Sequence, residues 1–461
     1  MPFTPVFLAT DVLLWLLIAA VAGYGWSCSR KPHLALPWKR VFQSGVASAC
    51  SVVLGCFVVV GFTDSLHFRV KLDQAGAGAT AYSPEVLSVL DLALSGLRER
   101  HERTYSAPLS TRLYAKELVE IRQGPDAGRQ LREYPRLRHG GSHLESEDDR
   151  LGDIYARVGL GLLAASLAAI LIAYAVRRLK KKSPGIPWQT AGAALLVILA
   201  VALPVILLSR HYHVLGTDKV GQDVLYLSLK SIRISLIIGT LTTLVLLPLG
   251  VALGITAGYF RGWVDDVIQY VYTTLNSIPG VLLIAAAVLM MQVMIDRNAD
   301  WFPTAAQRAD FRLLILCAIL GLTSWTGLAR LLRGEALKLS QLEFIQAAHA
   351  FGVSDARVLS RHVLPNVAHI IIITVVMDFS GLVLAEAVLS YVGVGVDPAT
   401  TSFGTMINAA RLEMGREPIV WWSLAAAFFF MFVLVLAANL FADAVRDGFD
   451  PRVRVGGLVT A

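Results

Sequence analysis

Residues 346–366 read Gln346-Ala-Ala-His-Ala-Phe-Gly-Val-Ser-Asp-Ala-Arg-Val-Leu-Ser-Arg-His-Val-Leu-Pro-Asn366. Leu337 to Ala350 predicts a helix with Leu339, Leu342, Ile345 and Ala348 on one face. Gly352 then breaks it, because glycine takes the left-handed conformation without steric cost. Ser354 or Asp355 caps a second helix, and Pro365 closes it, since the residue before a proline is pushed out of the α region. The result is helix, Gly turn, helix, with small Ala347 and Ala348 beside the turn. Small side chains there let a partner surface approach the backbone. Two readings fit this pattern equally: a docking element for another protein, and an amphipathic hairpin lying on a membrane interface.

What surrounds the loop is lipid-like. The chain has 461 residues, 55% hydrophobic and only 16% charged, with mean hydropathy +0.60. A soluble chain is about 25% charged. A membrane-spanning helix needs about 20 mostly apolar residues. Nine stretches qualify: Val12–Cys28, Phe42–Phe62, Val158–Val176, Thr190–Leu208, Ile234–Phe260, Val267–Ile295, Leu313–Ala329, Ile370–Leu389 and Pro418–Ala442. Arg30, Lys31, Lys39 and Arg40 follow the first stretch and no Lys or Arg precedes it, the reverse of a cleaved signal. This predicts a retained helix with its N-terminus outside. Arg177, Arg178, Lys180, Lys181 and Lys182, the 330–361 loop with Arg330, Arg333, Lys338, Arg357 and Arg361, and the tail with Arg446, Arg452 and Arg454 then fall on the cytoplasmic side. The net charge of +7 sits largely in these clusters, which orient spans and do not point to nucleic acid.

The same alternation puts Thr63–Ile154 outside. This island holds 28 charged residues, 13 basic and 15 acidic. Ser83-Pro84-Glu85 predicts a helix start with Ser83 as cap, and Val86, Leu87, Leu90, Leu94 and Leu97 give it an apolar face. Gly76-Ala77-Gly78 and Gly140-Gly141 read as joints. Cys28, Cys50, Cys56 and Cys317 lie in or end apolar runs and read as packing residues. No glycine precedes a lysine, so the phosphate-cradling GxxxxGK[ST] loop is absent, as are HExxH and GxSxG. His139/His143 and His211/His213 have metal-compatible spacing but read as solvated loop residues. Work against a gradient would have to come from another subunit.

The loop resembles the "EAA" loop of binding-protein-dependent ABC importer permeases, with its Ala-Ala pair, glycine and later His-x-Leu-Pro. His213–Asp218, Gly221-Gln-Asp223 and Arg233–Leu236 resemble the start of the C-type permease of dipeptide, oligopeptide and nickel importers. Ala257–Asp265, Ser324–Arg330, Glu386–Gly393, Asn439–Asp443, Arg446-Asp447 and Asp450-Pro-Arg452 continue the likeness, which spans roughly His211 to Arg452. Gln346 stands where the loop's name leads one to expect Glu, and Gln222 where that family usually has Arg. The first 188 residues or so have no counterpart.

The resemblance implies an all-α polytopic membrane protein: a six-helix type I importer permease core plus three extra N-terminal helices and a small extracytoplasmic domain. The implied organisation is two extra helices (1–62), the extracytoplasmic domain (63–154), a third extra helix and basic linker (155–182), a first core helix and outer loop (188–228), the permease domain (229–443) and a cytoplasmic tail (444–461). It implies a second permease, two cytoplasmic ATPases that hold ATP and magnesium, a substrate-binding protein outside, and surrounding lipid. This chain would have no catalytic residue, cofactor or metal of its own, and would sit in a bacterial inner membrane. Gln346, Ala347, Ala348, Gly352, Arg357, Arg361, His362 and Pro365 would meet an ATPase, Arg357, Arg361 and His362 alternatively facing solvent or headgroups. Glu386 matches the family's Glu-Ala pair and either anchors structure or meets substrate along the translocation path. Asp378, eight residues earlier and ~12 Å away along the helix, either lines a cavity or bonds to the neighbouring permease. Pro279 and Gly280 suggest a kink, either a gate or passive packing. The expected function is a peptide importer permease. The alternatives are a nickel or other small-solute permease, and a non-transporting membrane scaffold or sensor.

Overall fold

In lipid a backbone must satisfy its own hydrogen bonds, so long apolar runs fold as helices. The computed structural model describes residues 3–72, 81–120, 130–183, 185–302 and 304–449. A strand β1 (Phe3–Val6) leads to α1 (Ala9–Arg30), α2 (Pro32–Gln43) and α3 (Gly45–Asp64). The next segment carries β2 (His67–Leu72), β3 (Ala81–Tyr82), β4 (Leu87–Ser88), α4 (Val89–Ala93), α5 (Ser95–Arg98), β5 (Glu117–Glu120) and β6 (Gln130–Glu133). Then follow α6 (Arg150–Lys182), α7 (Trp188–Ser209), α8 (Val224–Phe260), α9 (Gly262–Ser277), α10 (Gly280–Arg297), α11 (Ala305–Leu339), α12 (Glu343–Ala350), α13 (Asp355–Val358), α14 (Leu364–Val392), α15 (Phe403–Glu413) and α16 (Trp422–Phe449). Among the described residues nine helices are long and apolar enough to cross a membrane.

The chain forms two compact units. One comprises Met1–Phe7, Gln43–Ile234 and Thr401–Ala437. Its sheet pairs β1 antiparallel with β2, Phe3 opposite Val70 and Val6 opposite His67, and β3 and β4 pair with β2 in turn. β5 and β6 pair antiparallel as a separate two-stranded sheet. Helices α6 and α7 lie so close that a Cβ on Gly161 would sit 2.6 Å from the Pro204 Cα.

The other unit comprises Leu8–Phe42, Ser235–Thr400 and Ala438–Ala461. Here α1 is capped by a distant residue: Asp310 accepts the Ala9 N–H at 2.8 Å and the Thr10 hydroxyl. Helix α2 lies on the end of α16, with Trp38 edge-on to Phe449 at 5.2 Å. Helices α8 and α11 meet along a stripe of small residues, as closely packed membrane helices do. A Cβ on Gly254 would lie 2.7 Å from the Ala329 carbonyl, and one on Gly258 only 2.4 Å from that of Arg333.

Several expectations need correction. The sixth stretch is two helices, not one kinked helix: α9 ends at Ser277, Ile278 is extended (φ −88°, ψ 132°), and Pro279 begins α10 from outside. Proline excludes the α conformation from the residue before it, so the chain breaks there. The second stretch begins late, because residues 32–43 form α2. In the polar segment the cap is Ser88, not Ser83: Ser88 and Asp91 form a capping box that starts α4. Short strands sit where only helix and joints were expected. His213 is 2% exposed, not solvated. Gly76-Ala77-Gly78, Asp450, Arg452 and Arg454 lie outside the described residues.

Candidate functional site

The loop quoted at the outset is built on the second unit's apolar core. Helix α11 stops at Ser340, and a turn through Leu342 lets α12 start afresh at Glu343, so the single helix expected from Leu337 to Ala350 is two. Ile345 alone of α12 is fully buried; it packs with Val358, Val363 and Val367 against Tyr259, Leu332 and Ala336. Gly352 takes φ +74°. Its N–H donates to the His349 carbonyl at 2.9 Å, and the Val353 N–H to that of Ala348 at 3.1 Å. These two bonds are the Schellman closure that a left-handed glycine permits.

Ser354 flanks α13 in extended conformation, its side chain making no capping bond, and Asp355 lies in the first turn. Pro365 does not close this helix. A wide π turn, Leu359–Val363, follows α13, and Pro365 falls in the first turn of α14. A first-turn proline forfeits no helical bond, which is why the chain runs on as a helix.

The loop is pinned from two sides. The Tyr259 hydroxyl, at the end of α8, donates to Asp355 Oδ1 at 2.8 Å and pairs with His349 Nε2 at 2.9 Å, its ring stacked on the imidazole at 5.7 Å. Arg261 donates to the Ser340 hydroxyl at 2.8 Å. Beneath, Arg333 grips Asp265 through two bonds of 2.6 and 2.7 Å. That guanidinium holds the Asp265 carboxyl below the usual carboxylate range. The motif Ala257–Asp265 supplies Tyr259, Arg261 and Asp265, yet sequence reasoning assigned none of them a role. A tyrosine in the last turn of a long apolar helix and an arginine just past its end were the available signal.

What the loop presents outward is a small, mostly apolar tip. Gln346, Ala347, Gly352, Arg357, Arg361 and Pro365 are exposed, while Ala348 and His362 are half-buried. Sequence reasoning missed Phe351, 87% exposed at the turn that follows α12, and Phe344, 45% exposed on α12 itself. Glu386 is fully buried and accepts the Ser390 hydroxyl at 2.7 Å. Asp378 is half-buried further back on α14. Neither acid lies in the loop. Tyr259→Phe keeps the ring and removes both hydroxyl bonds, at about 1 kcal/mol each. Trypsin should then cut at Arg357 or Arg361 roughly tenfold faster in membranes; an unchanged rate would show that the hydroxyl does not hold the loop.

The family model described as binding-protein-dependent transport system inner membrane component matches residues 250–455. The glutathione transport system permease protein GsiD of Pectobacterium atrosepticum is 34% identical over 244 residues, 52% of this chain and 73% of that protein. The oligopeptide transport system permease protein OppC of Mycobacterium bovis is 33% identical over 242 residues, covering 52% and 77%. The dipeptide transport system permease protein DppC of Lactococcus lactis is 32% identical over 240 residues, covering 52% and 64%.

Proposed function

The chain belongs to the family of binding-protein-dependent transport system inner membrane components, and from that premise we propose that it is the permease subunit of an importer for peptides or chemically related solutes. Its relatives serve glutathione, dipeptide and oligopeptide transport. The observation that carries the mechanical part is the tip itself: an 87%-exposed Phe351 beside a left-handed glycine, on a helix braced to α8, α11 and α14. An exposed aromatic on a rigid mount fits a pocket on another protein better than it fits water. The proposed occupant is a cytoplasmic ATPase whose nucleotide cycle moves the loop. Because Tyr259 and Arg261 tie the loop to the end of α8, a push on α12 is passed to α8 and, through the glycine stripe, to α11 as rigid-body motion. ATP changes transport only in so far as it favours one of the two arrangements.

The proposed assembly has a second permease, two ATPases that carry ATP and magnesium, and an external binding protein. The proposed orientation puts the N-terminus and residues 63–154 outside and the loop inside, in keeping with nine candidate spans among the described residues. The pairing of β1 with β2 fits it, because it keeps the first residues beside that segment. Reconstituted with its genomic neighbours, the complex should hydrolyse ATP severalfold faster when binding protein and peptide are added. Hydrolysis that ignores both would favour the scaffold reading.

A further inference from the structure

The three extra helices and the polar segment have no place in the function so far. The segment is stitched into the loop that leads to α8. Glu102, 5% exposed, accepts the backbone N–H groups of Arg138, His139 and Gly140 at 2.9, 2.8 and 3.2 Å, and its own N–H donates to the Gly221 carbonyl at 3.0 Å. His213 bridges from Glu102 Oε1 at 3.4 Å to Asp223 Oδ2 at 2.8 Å. Asp223 in turn accepts the Leu225 N–H at 2.8 Å, capping the first turn of α8. An unbroken line of bonds therefore runs from the inserted segment to the start of a core helix.

A second line runs beside it. The Ser106 N–H donates to Thr217 Oγ1 at 2.6 Å and the Thr217 N–H to the Ser106 carbonyl at 3.1 Å. The Leu109 N–H donates to the His213 carbonyl and that of Gly141 to the His211 carbonyl. Trp422, the first residue of α16, donates its indole N–H to the Thr217 carbonyl at 2.9 Å. The fit leaves no slack: a Cβ on Gly221 would lie 2.0 Å from the Glu102 carbonyl oxygen. A third attachment sits at the end of α3, where Ser88 donates to Asp64 at 2.7 Å, and Lys230 of α8 pairs with Asp91.

Three buried ionisable groups in one joint are tolerated only while they face each other. Burial alone would lower the pKa of His213, but its bonds to Asp223 and Glu102 push it up to about 9. Burial alone would raise that of Glu102, but His213 and three backbone N–H groups bring it down to about 2. Both therefore stay charged near neutral pH, and a partial opening would leave charges half-buried without partners. Such a joint is either closed or fully apart.

We infer that residues 102–113 and 135–141 and the loop 211–223 form one rigid collar, which fixes the inserted segment to the outer ends of α8 and α16 and stays closed throughout transport. On this account the segment is a permanent part of the outer gate frame, not a tethered arm that swings to capture a binding protein. The inference rests on the importer reading for its functional readout only.

The Ser106 and Thr217 hydroxyl oxygens lie 3.1 Å apart, so Ser106→Cys with Thr217→Cys tests the joint in the full complex in vesicles. The disulfide should form on mild oxidation, absent in either single variant, and uptake should stay within twofold of the reduced protein. Failure to cross-link, or a tenfold loss of uptake that a reductant restores, would overturn the inference. Should the double variant not reach the membrane, deuterium exchange on the unaltered complex decides. Protection of 102–113 and 211–223 should match between nucleotide-free and ATP-trapped states; faster exchange in either state would show the collar opening. A complex without ATP-dependent uptake before any substitution would speak against the importer, while cross-link yield and exchange would still judge the collar.

Discussion

Phe351→Asp is expected to abolish ATP-driven uptake, by at least thirtyfold, while the protein reaches the membrane at its normal level. Within the chain this ring touches little: it is 87% exposed, so its loss costs the fold almost nothing. Its worth lies in what it enters. A buried aromatic anchor at an interface contributes about 2–4 kcal/mol, roughly 30- to 1,000-fold in affinity. A carboxylate in the same pocket adds the cost of an unpaired buried charge. Phe351→Leu should keep a measurable fraction of uptake, since it still fills apolar space. Uptake assays beside an immunoblot of the membrane fraction separate the outcomes. Full uptake by Phe351→Asp would show that the tip meets no partner and would remove the mechanical basis of the proposed function.

Gly258→Leu should instead prevent the protein from folding stably. The first carbon of any side chain there would lie 2.4 Å from the Arg333 carbonyl and 2.8 Å from the Ala336 Cβ. Backbone cannot yield as a flexible side chain does, so α8 and α11 must part along their length. Over-packing of this kind costs about 3 kcal/mol, a large share of a typical total stability. The expected readout is a low membrane level and a lowered melting temperature in detergent. Gly23→Ala on α1, where a Cβ would meet nothing within 4 Å, should be neutral or gain about 1 kcal/mol. Equal behaviour of the two variants would mean that the α8–α11 contact is not as close as described.

Most of the spans were legible because length and apolarity are properties of a single stretch, and a lone apolar run of about 20 residues satisfies its backbone in lipid as a helix; the sixth was not, because Pro279 divides it. Gly352 was legible for a similarly local reason, since only one residue type takes φ +74° without strain. Pro365 misled because a proline ends a helix or begins one according to what precedes it, and the π turn at Leu359–Val363 leaves no pattern in the residues. Phe351 was invisible as a candidate contact: an aromatic next to a glycine reads as core until its exposure is known. The strands were out of reach for another reason. Phe3–Val6 pairs with His67–Val70 across two intervening apolar helices, and no local period encodes such a distant partner. The collar shares this non-local character. Glu102, His213 and Asp223 are ordinary polar residues in sequence and become one device only when the chain returns on itself.

The pairing of the first strand carries a consequence for how the protein is made. Synthesis delivers Phe3–Val6 long before His67–Val70, so β1 waits with its edge bare while α1, α2 and α3 are produced. On the orientation proposed, both strands must be delivered to the same face of the bilayer before they can meet. Closure of this small sheet therefore requires that Phe3–Val6 and His67–Val70 have reached the same face. A molecule whose first residues stayed on the other face would keep two bare strand edges, each with a row of unpaired N–H and C=O groups.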